Sequence, residues 1–335
     1  MAGIVGWGVF IPRMRIKAAD YRAAWGSFGV PGILEKTVAD VDDDSVTMAV
    51  NAASTALNSA AIDPSAVRAV VLASTSYPYE VKFQVGTVSR ALGIPQGSAG
   101  LQFGGSSKAG TEALICARAM ADLTRGYALV AVGDNRVASA YSPLEHASSA
   151  AGCALVLGSE GDIAHIEAMA HHTDDIPGDR FRPAGKAALE DVEVKEYTER
   201  HALRVVCSAA EDLLKVTGLT TSAFRHLAAS EPNGRFMESV AKRLGFPADA
   251  MAFTNLAQRL GDTGACGGLL GLISAMEHSQ PGDRIMLLSY GEGGGADALA
   301  IRLLSMPVAC GLKKAIDSAE YIDLLTYLKI RNRIA

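Results

Sequence analysis

The stretch LQFGGSSKAGTEAL (101–114) decides the reading of this chain. An apolar strand ends, two glycines turn the backbone, and a helix begins near Lys108. A helix start of this kind presents unpaired backbone N–H groups and the positive end of the helix dipole. Such a position activates a thiolate or holds an oxyanion. The residues offered there are Ser106 and Ser107, and a serine hydroxyl needs an adjacent base before it can attack. The alternative reading of Ser107 is a helix N-cap.

On both sides of that stretch the pattern alternates between strand and helix. Upstream lie an apolar run, GIVGWGVFIP (3–12), a helix over 44–60, a strand RAVVLAS (68–74) and a helix around 84–93. In the helix over 44–60, Val46, Ala49, Ala53 and Leu57 recur at helical spacing behind an acidic start. Downstream come strands YALVAVG (127–133) and GCALVLG (152–158). After a polar excursion at 171–190 the order recurs: helix 195–217, strand HLAAS (226–230), helices 234–244 and 265–279, and strands RIMLLSYG (284–291) and ADALAIRLL (296–304). Such alternation predicts an α/β fold with parallel pairing covered on both faces. Element order alone marks a duplication, with one half over 1–165, a second over 166–306 and a tail over 307–335. The tail reads as one amphipathic helix over 312–335, with Ile316, Leu324, Leu325 and Leu328 on one side.

The chain has 335 residues, of which 49% are hydrophobic but only 6% aromatic, with 34 glycines. Small side chains in that proportion predict close helix-to-sheet packing. With 31 basic and 36 acidic residues the formal charge is −5, which leaves no broad positive surface for a phosphate backbone. Nucleic acid is therefore excluded as an expected partner. Cys116, Cys153, Cys207, Cys266 and Cys310 are scattered, odd in number and form no CxxC pair, so neither a disulfide framework nor a metal site is expected. The start carries no signal-peptide pattern and no apolar run reaches spanning length, so a cytoplasmic protein without membrane attachment is expected.

Three further segments sit at strand ends, where α/β folds place their sites: LASTSYPYEVK (72–82), SEPNGRF (230–236) and LGDTGACGG (260–268). Asp262 reads equally as a helix cap or a functional group. Cys266 reads as packing at a helix start. SYGEGGGADAL (289–299) reads as a tight connection between strands that needs positive φ, and no GxGxxG precedes a helix, so no dinucleotide site is proposed. His171 and His172, in HHTDD, lack metal-ligand spacing and read as solvated loop residues. His146, in SPLEHASSAAG, is only a weak candidate for lining a pocket.

Taken together, GIVGWGVFIPRMRIK (3–17), PYEVK (78–82), KAGTEAL (108–114), EPNGRF (231–236), LLGL (269–272), PGDRIMLLSYGEGGGADA (281–298) and the YIDLLTYLKIRNRI tail (321–334) resemble the hydroxymethylglutaryl-CoA synthase family. The likeness is to the short form, and it runs along nearly the whole chain. It implies a thiolase-like fold of two similar βαβαβαββ halves in a five-layer αβαβα arrangement. It also implies two fused five-stranded halves, acyl-CoA as substrate in a tunnel between them, no covalently bound cofactor, and a dimer-based assembly.

The same resemblance places the family's catalytic groups on residues of other types. The acyl-accepting cysteine falls at Ser107, the histidine at Ser230, the asparagine at Asp262 and the glutamate acid/base at Thr75. Removing every member of a cooperating site costs orders of magnitude in rate. The pattern resembles the multicomponent phloroglucinol acyltransferase, which joins a cysteine-bearing thiolase subunit, a synthase-like subunit without the cysteine, and a small OB-fold protein. Three roles stay open: a scaffold or substrate channel in a C–C or C–N acyl-transfer assembly, a catalytic chain using Ser107 or Cys266 with Asp262, and a non-catalytic acyl-CoA-binding module. The likeness implies either a homodimer or a heteromeric complex.

Overall fold

A computed structural model describes residues 2–159, 163–176, 179–191, 195–307 and 310–331, with 195–199 as backbone only. The first half contains β1 (Gly3–Phe10), β2 (Met14–Lys17), α1 (Ala18–Trp25), β3 (Glu35–Thr37), α2 (Ser45–Ser59), β4 (Val67–Ala73), α3 (Val85–Leu92), β5 (Ala99–Phe103), α4 (Ala109–Thr124), β6 (Tyr127–Asn135), α5 (Pro143–Ala147) and β7 (Ala150–Gly158). The second half follows with β8 (Ala164–Thr173), α6 (Lys195–Thr217), β9 (His226–Ala229), α7 (Phe236–Leu244), α8 (Ala257–Leu260), α9 (Gly267–Glu277), β10 (Arg284–Gly291) and β11 (Gly295–Leu303). The tail adds α10 (Leu312–Asp317), β12 (Glu320–Tyr321) and α11 (Leu324–Ile330).

Nine strands hydrogen-bond in the order β5-β4-β6-β7-β1-β8-β11-β10-β9. The two halves meet at one antiparallel pair, Ile4 with Ala164, so the long sheet is two sheets touching edge to edge. Within each half the final strand, β7 or β11, runs antiparallel to both its neighbours, and the other pairs are parallel. The repeated order makes the halves copies of one plan. The second has four strands among the described residues: where β5 stands in the first, it has a short 3-10 turn, Ala248–Met251.

Three large apolar clusters stack in layers. α2 and α3 cover the outside of the first sheet through Ala49, Ala52 and Val88. α6 and α7 cover the second through Val205, Leu213 and Val240. Between the sheets lie α4 and α9, whose Ala113, Ala117, Leu269 and Ile273 are fully buried. Small residues let these middle helices approach closely, and a Cβ at Gly110 would strike the carbonyl of Ala265. That contact seats the start of α4 against the 260–268 segment.

Two sequence expectations change. The polar excursion begins later than predicted, because residues 164–173 form β8, with alanines and Ile166 facing inward between exposed polar residues. His171 is therefore a strand residue, its Nδ1 2.7 Å from the buried carboxylate of Asp297, rather than part of a solvated loop. The tail is not one helix. Gly311 and Asp323 each start a short helix, and β12 between them adds to a small sheet with β2 and β3. Ile316 is buried while Leu325 is exposed, so they do not share a face, and residues 332–335 lie outside the described residues.

Candidate functional site

Loops at the carboxyl ends of β4, β5, β6 and β10 converge with the segment joining α8 to α9. Ser107 closes the β5–α4 loop with 7% exposure. It is not a cap: Lys108 occupies the N-cap position of α4 without a side-chain cap bond. Its hydroxyl donates to Glu292 Oε1 at 2.7 Å and its backbone N–H to Glu292 Oε2 at 2.6 Å. Glu292 is the charged residue of the β10–β11 turn, where Gly293 and Gly294 supply the positive φ values of 94° and 115° that a tight return requires.

Arg136, just past β6, links that turn to the opposite wall. Its Nη2 donates to Glu292 Oε1 at 2.6 Å, and its Nη1 reaches both oxygens of Asp262 at 2.9 and 2.8 Å. Asp262 also accepts from Arg180 Nη1 at 2.7 Å and from the Gly264 N–H at 3.0 Å. The Arg136 side chain is 2% exposed, Asp262 7% and Glu292 10%. Two cations thus neutralise two carboxylates in a nearly dry site, which is the arrangement in which buried charge is tolerated. Burial works against ionised Glu292, but Arg136 and the two donors of Ser107 outweigh it and bring its pKa down to about 2. Burial likewise opposes the guanidinium, yet Asp262, Glu292 and Asp134 keep Arg136 charged.

Thr75 lies behind this network. Its N–H and hydroxyl donate to Asp134 at 2.7 and 3.0 Å, alongside the hydroxyls of Ser74 and Ser76 and the N–H of Ala265. Burial pushes the Asp134 pKa up, but five donors serve this carboxylate. Ser230 is buried at the end of β9, its N–H bonded to Leu288 O. Its neighbour Glu231 accepts from the N–H groups of Leu256 and Ala257 at 2.9 and 3.2 Å, and burial raises its pKa to about 8. Cys266 is fully buried, its thiol donating to Ala151 O at 3.2 Å, and burial pushes its pKa well up.

Ser107, Asp262 and Thr75 are therefore drawn together, all three by way of Arg136, Glu292 or Asp134. Sequence reading missed those three residues and Arg180. A signal existed for two of them: Arg136 follows an apolar strand in GDNR, and Glu292 is the one charge in a turn otherwise made of glycines. The consequence for chemistry is direct. A carboxylate held near pKa 2 is a poor base, and the N–H that could stabilise an oxyanion already donates to Glu292.

Next to the network is a cavity of about 350 Å³, with Val30, Pro143 and Phe236 on its apolar side and Arg180 and Asn233 on its polar side. His146 is not among its lining residues. Its ring stacks on Phe28, with centroids 4.8 Å apart, and its Nδ1 accepts from the N–H of Gly29, so it holds the cavity wall from behind. Burial, then the nearby Lys36, lower its pKa to about 4, leaving a neutral ring. Among the described residues no helix is long and apolar enough to cross a membrane, and no cluster of three or more His, Cys, Asp or Glu residues could hold a metal.

Two stacked sheets sharing a central helical layer, with their loops gathered at the start of α4, define the condensing-enzyme fold of the thiolase superfamily. Residues 214–303 match the C-terminal family of 3-oxoacyl-[acyl-carrier-protein] synthase III. The chain belongs to the hydroxymethylglutaryl-CoA synthase family. It is 34% identical to the hydroxymethylglutaryl-CoA synthase of Methanopyrus kandleri over 99% of this chain and 97% of that protein. With the synthase of Archaeoglobus fulgidus the identity is 32%, covering 100% and 99%. The fold matches that of MvaS in complex with 3-hydroxy-3-methylglutaryl coenzyme A, with a TM-score of 0.86 at 19% identity over 98% of this chain and 91% of that one. It also matches 3-oxoacyl-[acyl-carrier-protein] synthase III from Aquifex aeolicus, with a TM-score of 0.77 at 18% identity over 90% and 100%.

Proposed function

We propose that this chain is the synthase-like member of an acyl-transfer assembly for C–C or C–N acylation, contributing scaffold and substrate channel while a thiolase-type partner carries the nucleophile. One observation supports this reading: Arg136 is paired with Asp262 and Glu292, and Glu292 takes both the hydroxyl and the N–H of Ser107. A catalytic role for Ser107 with Asp262 as base has the geometry against it, because two arginines hold the Asp262 carboxylate. Cys266 as acyl acceptor has its position against it, because the residue is fully buried and its thiol donates to Ala151 O.

The 350 Å³ cavity favours a second reading, an acyl-CoA-binding module, since a pocket of that size suits a pantetheine-length ligand. Fold neighbours include an HMG synthase solved in complex with an acetyl donor-ACP, so a carrier-bound acyl group is an equivalent occupant. For assembly, the free edge of β5 and the exposed Tyr79, Val81 and Phe83 beside it offer a contact for a second copy or a thiolase-type subunit, with a small OB-fold protein as a third member.

The test is to purify the chain with whatever co-purifies, add isotopically labelled acetyl-CoA, and map the label by peptide mass spectrometry. The label is expected on a cysteine of an associated thiolase-type chain. Label on this chain would overturn the scaffold reading. CoA binding with no associated chain and no label would replace it with the binding-module reading.

A further inference from the structure

Among the described residues three that are not glycine have positive φ: Ala61, Arg125 and Tyr141. Ala61 and Arg125 follow α2 and α4, where a left-handed residue commonly closes a helix. Tyr141 closes no helix. It is the third residue of a turn in which the Ser142 N–H donates to Ser139 O at 3.2 Å, and glycine or asparagine adopts its φ of 66° more readily than a bulky side chain does. A strained residue persists only where its surroundings hold it, and such residues collect at ligand clamps and switches.

The group that holds it is Glu145 of α5, which is 4% exposed. Its Oε2 accepts the Tyr141 N–H at 3.0 Å, and its own N–H donates to Ser142 Oγ at 3.1 Å. Its Oε1 accepts from the Tyr327 hydroxyl of α11 at 2.7 Å. Lys36 closes the set by donating to Tyr327 Oη at 3.0 Å and to the Glu145 carbonyl. One buried carboxylate is therefore shared between a strained turn and the last helix.

The turn leads directly into the larger cavity. Ser142, Pro143 and Leu144 line one side of it, and Gly29, Val30 and Pro31 line another. α5 grips both sides. A Cβ at Gly29 would lie 2.9 Å from Pro143 Cγ, and the Gly29 N–H donates to His146 Nδ1 at 3.2 Å. Packing this close transmits displacement, so a shift of α5 moves the two walls together. We propose that Glu145 is a positioning residue for this cavity: it couples docking of the C-terminal helix, through Tyr327, to the Tyr141 turn and so to the geometry of both walls. The consequence for acyl-CoA rests on the reading of the cavity as its binding site; the coupling itself does not.

The experiment pairs hydrogen–deuterium exchange of the full chain with titration of acetyl-CoA. Tyr327→Phe is expected to speed exchange about fivefold in peptides spanning 139–148 and 28–33, the equivalent of one ordinary hydrogen bond, while peptides from α4 and α9 stay as in wild type. Glu145→Gln, which keeps one acceptor in place of two, is expected to show the same pattern. Acetyl-CoA is expected to bind Tyr327→Phe about fivefold more weakly, and Leu325→Ala, at an exposed position of the same helix, to change neither readout. Tyr141→Gly supplies a residue at ease in the left-handed conformation, so adding Tyr327→Phe to it is expected to change exchange by less than about twofold. Unchanged exchange in the two peptides, a uniform increase that includes α4 and α9, or the full fivefold effect persisting beside Tyr141→Gly would each overturn the coupling. Equal acetyl-CoA affinity in a wild type and a Tyr327→Phe that both bind would overturn it too. The expected exchange pattern in a chain that binds no acetyl-CoA would uphold the coupling and remove the acyl-CoA reading of the cavity.

Discussion

Arg136 is central to this network because, among the described residues, it is the one group that touches both Asp262 and Glu292. Arg136→Ala would leave the nearly buried Glu292 carboxylate without a counter-charge, while Asp262 keeps Arg180, at a cost of about 3–5 kcal/mol in a denaturant melt. Glu292 gives the same network a pH signature. Its folded pKa, near 2, lies below the ordinary 4.5, so its stabilising effect is complete above about 4.5 and is lost as pH falls towards 2. Wild type is expected to lose stability across that window more steeply than Glu292→Gln. Glu231 has the opposite sign. With a folded pKa near 8 it stays protonated while the unfolded chain ionises, so it costs stability increasingly as pH rises from about 4.5 to 8. Glu231→Gln, which keeps the acceptor for Leu256 and Ala257, is expected to melt higher than wild type at pH 8. Ser107, Ser230, Asp262 and Thr75 could be picked out from motifs that are contiguous in sequence. For Arg136, Arg180 and Glu292 the roles were not legible even where a strand-end position gave a signal, because they arise where side chains 82 to 185 residues apart in sequence meet, and a charge beside a strand end says nothing of its partner until the fold supplies it.

At the scale of elements, the alternation of apolar runs with helical periods gave the strand and helix order reliably wherever both faces of a strand were covered. It missed β8, whose segment AHIEAMAHHT mixes exposed polar residues with small apolar ones and lacks the continuous run of a buried parallel strand. It also merged the tail into one helix. Leucines at helical spacing in the tail were read as one face, although Ile322 and Asp323 interrupt the helical run with extended backbone. The last helix, α11, docks through Tyr327, which is 1% exposed and donates to Glu145 Oε1 at 2.7 Å while its oxygen accepts from Lys36 at 3.0 Å. Lys36 also donates to the carbonyl of Glu145, and burial lowers its pKa to about 7. Tyr327→Phe removes the donor to Glu145 Oε1 and one of the two acceptors of Lys36, and is expected to cost about 1–3 kcal/mol by chemical denaturation. Substituting the exposed Leu325 by alanine on the same helix is expected to change stability by less than about 0.5 kcal/mol.

For the whole molecule, two halves of like strand order have the architecture of a condensing enzyme, and an ion-paired plug lies where their loops meet. The fold and the plug are separable, because the central layer is held by small apolar residues of α4 and α9 rather than by the charged groups above it. The open edge of β5 and the exposed Val81 and Phe83 predict association. Sedimentation of the purified chain is expected to give a species larger than one chain, and Val81→Asp with Phe83→Glu is expected to shift it to the monomer; a wild-type monomer would show that this edge is not a contact. The central claim, that this chain does not itself carry the acyl group, is tested most directly by intact-protein mass spectrometry of the isolated chain after incubation with acetyl-CoA. The account predicts an unchanged mass, and an acetyl adduct that maps to Ser107 would contradict it.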